Sequence, residues 1–368
     1  MAQVDSCNEQ LLTIRDHIKH LRKWIQQQQP ILNSLDTDEF LLRFLRVTDF
    51  RLENAKEWLI QFWKYRTENP QWFKDRDLLQ DSLMCQIAEL AYCLQLPKAT
   101  KDKHLIFVMR MGQYDPTIYS IDDVTRYAFA VTDILNSQPA AQLYGFIILL
   151  DFTNIRLQHI TQFTPDRMRR YIDCWEKMYP VHLRQIHFYN YPAILNPFLY
   201  LFRLLYNGKL NNRIYCHSRS SDDSMKKSLH VYVDPSLLPN EYGGQLDSIE
   251  SDMNKTFIKW TQEHNDYLIQ LEQYNVDLNH VGKLNNRIYC HSRSSDDSMK
   301  KSLHVYVDPS LLPNEYGGQL DSIESDMNKT FIKWTQEHND YLIQLEQYNV
   351  DLNHVSQLLI NVKKEHDI

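Results

Sequence analysis

A strand, a helix and a second strand follow one another between Tyr179 and His217, and this order constrains the fold more than any other stretch. The runs Gln185–Asn190 and Arg213–His217 are rich in Ile, Phe and Tyr, which favour β-strands. Between them, Pro197 opens a helical segment. Strand, helix and strand within about 30 residues is the spacing of a right-handed crossover between parallel strands. We therefore predict that these two strands are parallel neighbours in one sheet.

The predicted linking helix, Asn196–Tyr206, is unusually apolar. Its only charged residue is Arg203. Its apolar residues at helical spacing are Phe198, Leu201, Phe202 and Leu205. A helix that covers a sheet needs only one apolar face. We therefore predict that this helix acts as a lid over something apolar besides the sheet.

Further apolar runs upstream predict the rest of the sheet. His104–Arg110 and Leu143–Phe152 have the length of strands and read as strands that are covered on both faces. Two helices are predicted at Asp122–Asn136 and at Pro165–Met178. Alternation of helix and strand predicts an α/β fold, with a mostly parallel β-sheet of about four or five strands flanked by helices.

The N-terminal part of the chain predicts a helical lobe. Asn8–Gln29 has apolar residues at helical spacing. In Leu35–Arg66, Thr37 is placed to cap a helix. The residues of that helix that we expect to face inward are Phe40, Leu41, Phe44 and Leu45.

Several of these motifs together resemble the CRAL-TRIO family. They are YPVHLRQIHFYNYP, the apolar helix, KLNNRI, LPNEYGG and the upstream FLLRFLR, and they cover roughly residues 10–255. Within the family, the chain is most similar to the tocopherol-transfer and retinaldehyde-binding subgroup. The resemblance implies an N-terminal helical lobe (1–92), a lipid-binding domain (93–250) and a C-terminal helical extension (251–281). It also implies an internal lipid cavity, closed by a mobile helix that matches Pro197–Tyr206.

The turn after the longest predicted strand departs from the family pattern. Asp151 ends that strand, at the carboxyl edge where open α/β sheets place ligands. Family members usually have Gly three residues after this Asp, and this chain has Asn154. Because Asn tolerates the left-handed conformation, we expect the turn to be preserved.

The C-terminal part contains a tandem duplication. Gly208–Val281 recurs without any change as Gly282–Val355, and a short tail completes the region 282–368. Structural repeats normally drift in sequence and each forms a whole unit. Identity that begins in the middle of a domain instead indicates a recent duplication or an error in the gene model. Because the first copy has the shorter tether, we expect Arg213–His217 to pair in the sheet and Arg287–His291 to be displaced from it.

The sequence offers no catalytic constellation. Its eight glycines form neither GxGxxG nor a P-loop, and GxSxG and HExxH are absent. His182, His187 and His217 lie near one another, but two of them fall within predicted strands, which favours histidines of the core or sheet edge over a metal site. We expect no enzyme activity, no metal and no cofactor.

Composition narrows the expected partners and location. A net charge of −7 argues against bulk binding of nucleic acid. Six cysteines without a CxxC pair fit a reducing compartment. Neither a signal-peptide pattern nor an apolar run long enough to span a bilayer is seen. We expect a cytoplasmic monomer that associates transiently with membranes.

Large apolar side chains from several elements form the candidate cavity. Small or polar positions among them leave space that a solid core would fill, and a mostly apolar pocket with few polar groups is typical of a lipid site. Ordinary core packing is the alternative. The candidate cavity and lid residues are Ala128, Val131, Thr132, Phe146, Ile148, Leu150, Tyr171, Cys174, Trp175, Phe188, Phe198, Leu201 and Phe202.

A basic patch is expected near the end of the lid helix. It comprises Arg184, Lys209 and Arg213, and the resemblance implies that such residues contact phosphoinositide head groups at the surface. The resemblance implies a further basic residue at this site, and this chain has Thr48 in its place, which weakens the patch. Solubilising surface charge is the alternative.

The sequence thus predicts a carrier that binds one hydrophobic molecule, of the tocopherol, retinoid or phospholipid type, and exchanges it at membranes. A lipid-regulated interaction module without net transfer is the alternative, and an enzyme on the same sheet is a third. Burial of an apolar ligand favours capture at roughly 25 cal/mol per Å², and release requires the lid to open at a membrane.

Overall fold

A computed structural model describes residues 2–192, 195–196, 199, 211–218 and 222–288. The chain divides into two compact units. The first comprises Met1–Asn154, Cys174–Tyr191 and Arg213–Ile288, and the second comprises Ile155–Asp173, Pro192–Asn212 and Tyr289–Ile368. The domain boundaries expected from the sequence stay a prediction.

Helices and strands alternate in the first unit, and α8 and α9 belong to the second. The helices are α1 (Ala2–Gln28), α2 (Asp38–Val47), α3 (Leu52–Glu68), α4 (Pro70–Phe73), α5 (Ser82–Glu89), α6 (Ile121–Ser137), α7 (Pro139–Tyr144), α8 (Leu157–Ile160), α9 (Pro165–Asp173), α10 (Asp222–His230), α11 (Asn254–Gln262), α12 (Asn265–Leu271) and α13 (Val281–Ile288). The strands are β1 (Leu32–Asn33), β2 (Cys93–Gln95), β3 (Leu105–Arg110), β4 (Phe146–Asp151), β5 (Leu183–Tyr191), β6 (Ile214–Ser218) and β7 (Asn275–Val276).

A five-stranded sheet forms the centre of the first unit. Its strand order is β2-β3-β4-β5-β6. β2 is antiparallel to β3, and the other neighbours are parallel. The predicted α/β class with a mostly parallel sheet is therefore confirmed, and so is the parallel pairing of β5 with β6. The predicted linking helix lies almost entirely outside the described residues.

Two predicted elements are shorter than the sequence suggested. β4 begins only at Phe146, because Leu143 and Tyr144 end α7. Gly145 separates the two elements with a φ of +76°, and a Cβ there would lie 2.1 Å from the carbonyl oxygen of His182. Only glycine fits such a turn and such a close approach.

The predicted helix Pro165–Met178 also divides. α9 ends at Asp173, and Cys174–Met178 continues as a π-helical turn. Cys174 and Met178 are both fully buried in that turn, with their sulfur atoms 3.8 Å apart. A π-helical turn rotates the following residues relative to an α-helix, so the regular spacing of the sequence does not continue through it.

The C-terminal helical extension (251–281) that the resemblance implies does not form one continuous helix. The structure has a π-helical turn at Ile249–Met253, then α11, α12 and β7. Ser251 has φ −77° and ψ −136°, which is not helical and kinks the chain before α11. β7 is extended because it pairs with β1, a partner about 240 residues away that local spacing does not reveal.

The N-terminal lobe forms as predicted. Thr37 caps α2 and its side chain accepts a hydrogen bond from the backbone N–H of Phe40. The four residues expected to face inward are fully buried, namely Phe40, Leu41, Phe44 and Leu45. Edge-to-face packing of Phe40 and Phe44 on Phe62 joins α2 to α3.

A buried ion network joins the lobe to α6. The Asp133 carboxylate on α6 lies 2.7 Å from Nη1 of Arg66 and 2.5 Å from Nη1 of Arg76, and all three side chains are buried. Burial alone would raise the pKa of Asp133, but the two guanidinium groups more than offset it and lower the pKa below its ordinary value. Loss of that carboxylate would leave the buried Arg66 without its ion-pair partner and Arg76 with Glu272 alone.

The C-terminal part of the first copy closes the lobe. Arg43 Nη1 donates a hydrogen bond to the Tyr267 hydroxyl at 2.7 Å. The Glu272 carboxylate accepts hydrogen bonds from the backbone N–H groups of Asp75 and Arg76, each at 3.0 Å. The lobe is therefore completed by residues about 200 positions downstream.

The two copies of the duplication differ in structure where both are described. In the first copy, Asn211–Arg213 form a 3-10 turn and Ile214 begins β6. This confirms the prediction that the first copy pairs in the sheet. In the second copy, the counterparts of these four residues, Asn285, Asn286, Arg287 and Ile288, lie in α13. Arg287 and Ile288 are therefore helical and not paired as a strand, and residues 289–291 of that prediction lie outside the described part.

We expect Asp133→Asn to lower the free energy of unfolding by about 3–5 kcal/mol, because it leaves Arg66 buried without its counter-charge and leaves Arg76 with Glu272 as its remaining ion pair. For a chain of this size, that corresponds to a fall in Tm of roughly 6–15 °C. Thermal unfolding followed by circular dichroism measures it. Glu53→Gln is the matched control, because the Glu53 carboxylate in the ion pair with Lys56 is exposed and a pair of this kind contributes less than about 1 kcal/mol.

The same variant should change the pH dependence of stability. A carboxyl group with a lowered folded pKa stabilises above its unfolded pKa, and this stabilisation is lost as pH falls through the folded pKa. The wild-type chain should therefore lose stability below about pH 4 more steeply than Asp133→Asn. Parallel curves for the two proteins would contradict the assigned role of Asp133.

Candidate functional site

The register of the parallel strands places apolar side chains in two rows on one face of the sheet. Because neighbouring residues in register point to the same face, and alternate residues of a strand share a face, the rows follow from the pairing. The first row is Phe107, Ile148, Ile186 and Ile214. The second row, nearer the carboxyl ends of the strands, is Met109, Leu150, Phe188 and Cys216.

The two rows differ in exposure. Every member of the first row is buried, at 6% exposure or less. In the second row only Phe188 is fully buried, whereas Met109, Leu150 and Cys216 are partly exposed. β4 is a central strand, so a partly exposed Leu150 there shows that the sheet surface is not filled at this row. We call the second row the apolar shelf.

The four candidate residues on the sheet share this face. Phe146, Ile148 and Leu150 alternate along β4, and Phe188 is in register with Leu150. Phe188 also stacks on Phe152, with ring centroids 5.7 Å apart. The structure thus brings these four residues together, and two of them belong to the apolar shelf.

The three candidates on α6 are buried on one face of that helix. Ala128, Val131 and Thr132 are each at most 3% exposed. The Thr132 hydroxyl donates a hydrogen bond to the carbonyl oxygen of Ala128 at 2.7 Å, so its polarity is satisfied within the helix. Phe129 and Asp133 lie on a different face, which contacts the N-terminal lobe.

Cys174 and Trp175 belong to the π-helical turn, which packs against α3. Cys174 is fully buried. Trp175 is half-buried, and its ring lies 5.3 Å from that of Tyr179, whose hydroxyl donates to the carbonyl oxygen of Phe129. These contacts place both residues beside the lobe. Their role as cavity lining stays a prediction.

The remaining candidates lie in the second unit. Tyr171 on α9 is half-buried and packs edge-to-face against Phe163, with centroids 6.2 Å apart. Phe198, Leu201 and Phe202 of the expected lid lie outside the described residues.

Polar groups close the carboxyl edge of the sheet beside the apolar shelf. The Asp151 carboxylate accepts hydrogen bonds from the Tyr242 hydroxyl at 2.9 Å and from the backbone N–H of Thr153 at 2.8 Å. Burial, followed by the charge of Asp151, raises the pKa of Tyr242, so its hydroxyl stays protonated and donates. Asn154 has a φ of +60°, which confirms that Asn adopts the left-handed conformation expected there.

The contact between Tyr242 and Asp151 was not foreseen, although the segment LPNEYGG contains its signal. Gly243 has a φ of +71°, and a Cβ on Gly244 would lie 1.9 Å from the carbonyl oxygen of Leu238. Both positions therefore favour glycine, and the turn that they form holds Tyr242 over the end of β4. A Tyr-Gly-Gly segment downstream of a buried sheet was the available clue.

The opposite face of the sheet carries a buried pair of histidines. His187 Nδ1 lies 2.9 Å from His217 Nε2, and the outer nitrogens of the pair contact Gln185 Oε1 and Ser228 Oγ. Burial, and then the neighbouring His217, lowers the pKa of His187 to about 3, and burial lowers that of His217 to about 4. Both rings are therefore neutral at pH 7 and belong to the core, as the sequence favoured.

The basic patch lies at the opposite, amino edge of the sheet. Arg184 Nε donates to the carbonyl oxygen of Tyr144, and Arg213 Nη1 donates to that of Leu183, each at 2.9 Å. Burial, and then Arg184, lowers the pKa of the nearby His182. Arg184 and Arg213 thus meet at the start of β5 and β6. Lys209 lies outside the described residues.

Thr48 does not belong to that surface. It is 3% exposed, and its hydroxyl donates to the carbonyl oxygens of Phe44 and Leu45 at the end of α2. A basic side chain would not find the same partners there. The basic residue that the resemblance implied at this position is therefore replaced by a structural one.

The described residues contain no group of three or more His, Cys, Asp or Glu side chains that could hold a metal ion. They also contain no helix that is both long and apolar enough to span a membrane.

Comparison with known proteins gives two family matches. Residues 91–244 match the CRAL/TRIO domain, and residues 12–83 match the Pinta-like UBA domain. The first match contains all five strands of the sheet, β2 to β6, and the Tyr-Gly-Gly segment.

Individual relatives are similar over much of the chain. Clavesin-2 from Rattus norvegicus is 26% identical over 317 residues, which are 83% of this chain and 88% of the relative. Alpha-tocopherol transfer protein-like from Mus musculus is 24% identical over 238 residues, which are 65% of this chain and 67% of the relative. The crystal structure of Sfh5 aligns with a TM-score of 0.45 and 13% identity, covering 70% of this chain and 96% of that one. Residues 91–244, which contain the mostly parallel sheet, are thus similar to the CRAL/TRIO domain.

Proposed function

We propose that the protein binds one hydrophobic molecule against the apolar shelf and exchanges it between membranes. The observation that carries the proposal is the partial exposure of Met109, Leu150 and Cys216 on a sheet whose neighbouring row is buried. Apolar side chains that remain accessible on central strands favour an apolar ligand, because its burial removes their contact with water.

The chemistry of the shelf favours a ligand that is mostly hydrocarbon. Its four side chains offer one thiol and no charge. Hydrogen-bonding groups at the adjacent carboxyl edge are already engaged, since Tyr242 and Thr153 both bind Asp151. A tocopherol, a retinoid or the acyl chains of a phospholipid fit this description. Similarity to a tocopherol transfer protein-like relative supports the same class.

Exchange at membranes requires a surface that meets lipid head groups. Arg184 and Arg213 at the amino edge of the sheet offer two cations at a place separate from the shelf. Each basic residue near an anionic leaflet contributes about 1 kcal/mol of attraction. We propose this basic patch as the membrane contact, with phosphoinositides as the anionic lipid.

The ligand is tested by extraction of the purified protein and mass spectrometry, together with transfer of a fluorescent tocopherol between vesicles. We expect an apolar molecule in the extract and transfer above the protein-free rate. If the extract contains no apolar molecule and the protein does not transfer the tocopherol between vesicles, the carrier proposal is wrong. Binding without transfer would favour a lipid-regulated interaction module instead.

Leu150→Trp should fill the space at the apolar shelf. We expect ligand affinity to fall at least tenfold while Tm changes little, because the added ring enters accessible space and not packed core. Fluorescence titration with a retinoid or tocopherol probe measures the affinity. Leu143→Trp is the matched control, because Leu143 is 50% exposed on α7 and carries the same change in size. Equal affinity of the two variants would contradict the shelf as the binding site.

Neutralising the basic patch should weaken membrane binding and leave the ligand site intact. For Arg184→Gln with Arg213→Gln, we expect about a tenfold or larger loss of binding to vesicles that contain a phosphoinositide. The loss should shrink at high salt, because the attraction is screened. Lys227→Gln with Lys255→Gln is the control, since both side chains are exposed elsewhere. An equal loss of vesicle binding in the two double variants would show that total charge, and not this patch, drives membrane binding.

A further inference from the structure

A groove separate from the apolar shelf lies at the β2 edge of the sheet, within the first unit. Its volume is about 710 Å³, and ligand sites in proteins typically enclose roughly 300–1,000 Å³. One wall consists of residues 95–97, at the end of β2. The other wall consists of residues 246–248 and of one side of the segment from 251 to 260, which includes α11. None of the four shelf residues lines this groove.

The lining of the groove is mostly apolar and in part accessible to water. Leu96 and Phe257 are buried, whereas Leu246, Met253 and Trp260 are only half-buried. The Trp260 ring packs on Phe257, with ring centroids 5.7 Å apart, so it has a defined position. Methionine and aromatic side chains are enriched in the cores of protein–protein interfaces. Half-buried residues of this kind in a concave surface favour an apolar side chain of a partner.

The charged side chains of the lining are both acidic. They are Asp247 and Asp252, which are exposed, and no Lys or Arg is among the described residues that line the groove. Asp247 has no ion pair within the part of the chain that the structure describes. Asp252 lies 3.5 Å from Lys255 Nζ, but these side chains are 93% and 74% exposed, so the pair is weak. The nearby Lys98 donates a hydrogen bond to the Ser236 carbonyl oxygen at 3.3 Å. The groove therefore complements a cation.

Hydrogen bonds within the protein hold the acidic wall in place. The Glu241 carboxylate accepts hydrogen bonds from Ser248 Oγ at 2.6 Å and from the backbone N–H of Ile249 at 2.8 Å. The backbone N–H of Leu246 donates to the carbonyl oxygen of Leu238 at 2.9 Å. The wall is thus formed before any partner binds, which lowers the cost of ordering it on binding.

The strand β2 offers backbone groups to the same groove. It is an edge strand, and β3 is its one neighbour in the described sheet. The N–H of Leu96 donates to the carbonyl oxygen of Ile106, and the N–H of Arg110 donates to that of Tyr92. Because every second residue of β2 binds β3 in this pattern, Gln95 directs its N–H and C=O away from β3. An extended peptide pairs with backbone groups of this kind at a sheet edge.

We propose that this groove binds an extended basic segment of a partner protein, in which a large apolar side chain lies close to Arg or Lys. The apolar side chain packs against Met253 and Trp260, the cation meets Asp247 and Asp252, and the backbone pairs with Gln95. A lipid chain would match only the apolar lining, and the two carboxylates repel an anionic membrane. The proposal does not depend on the function proposed for the shelf.

Selection of short random peptides, displayed on phage, on the full-length chain tests the site and its charge together. We expect the enriched peptides to combine a large apolar residue with Arg or Lys. On Asp247→Lys with Asp252→Lys, we expect Asp and Glu to replace these basic residues, because the charge of the lining is reversed. The proposal is overturned if no peptide is enriched, or if the two proteins enrich the same peptides.

Titration of one selected peptide, labelled with a fluorophore, measures the contribution of the carboxylates. For Asp247→Asn with Asp252→Asn, we expect the affinity to fall about tenfold, because two ion pairs are lost. This difference should shrink at high salt. Asp16→Asn with Asp223→Asn is the matched control, because both side chains are exposed elsewhere, on α1 and α10. An equal loss in the two double variants would overturn the assignment to the groove.

A variant that fills the groove tests its apolar part. Thr256 is exposed on α11 and lines the groove, so Thr256→Trp should weaken the peptide at least tenfold and leave Tm within about 2 °C. Lys259→Trp is the control, because it adds the same ring to an exposed position of α11 outside the lining. Equal peptide affinity of the two variants would overturn the proposal. So would self-association of the wild-type chain that Thr256→Trp abolishes, because the occupant would then be a second copy of this chain.

Discussion

The register of the four parallel strands decides which side chains can meet a ligand. Along each strand the side chains alternate between faces, so a slip of one residue would move Leu150 and Phe188 to the opposite face and bring Asp151 and His187 to this one. The register is fixed at both edges. Gly145 allows β4 to start beside the His182 carbonyl group, and Tyr242 holds Asp151 at its end. The apolar shelf exists because both anchors are in place.

The same sheet separates two kinds of chemistry by its two faces and two edges. One face is apolar and partly open at the shelf, and the other buries the neutral pair His187 and His217. The carboxyl edge is closed by hydrogen bonds that leave no free carboxylate at Asp151, whereas the amino edge presents Arg184 and Arg213. In the proposed function, the apolar ligand and the anionic membrane surface therefore use different groups of the sheet and do not compete for them.

Local patterns in the sequence predicted what depends on local chemistry. The cap at Thr37, the inward face of α2, the strands and the shared face of Ile148, Leu150 and Phe188 all follow from helical spacing or from alternation. Asn154 was also predictable, because its conformation depends on its own side chain. These features need no knowledge of a distant partner.

Other features depend on pairs that lie far apart in the chain, and no periodicity encodes them. Asp133 meets Arg66 and Arg76 across the lobe, and Tyr242 meets Asp151 from 91 positions away. The division of the C-terminal region into α11, α12 and β7 belongs to the same class, because β7 is extended only where β1 pairs with it. The exposure that distinguishes the shelf from the buried row beside it also arises only after folding.

Position in the chain, and not sequence alone, decides the structure of the repeat where both copies are described. The letters NNRI form a 3-10 turn and the first residue of β6 in the first copy, and they lie within α13 in the second. In the first copy, the strand that follows these letters pairs with β5. Cys216 belongs to the apolar shelf for the same reason, because this pairing brings it into register with Phe188.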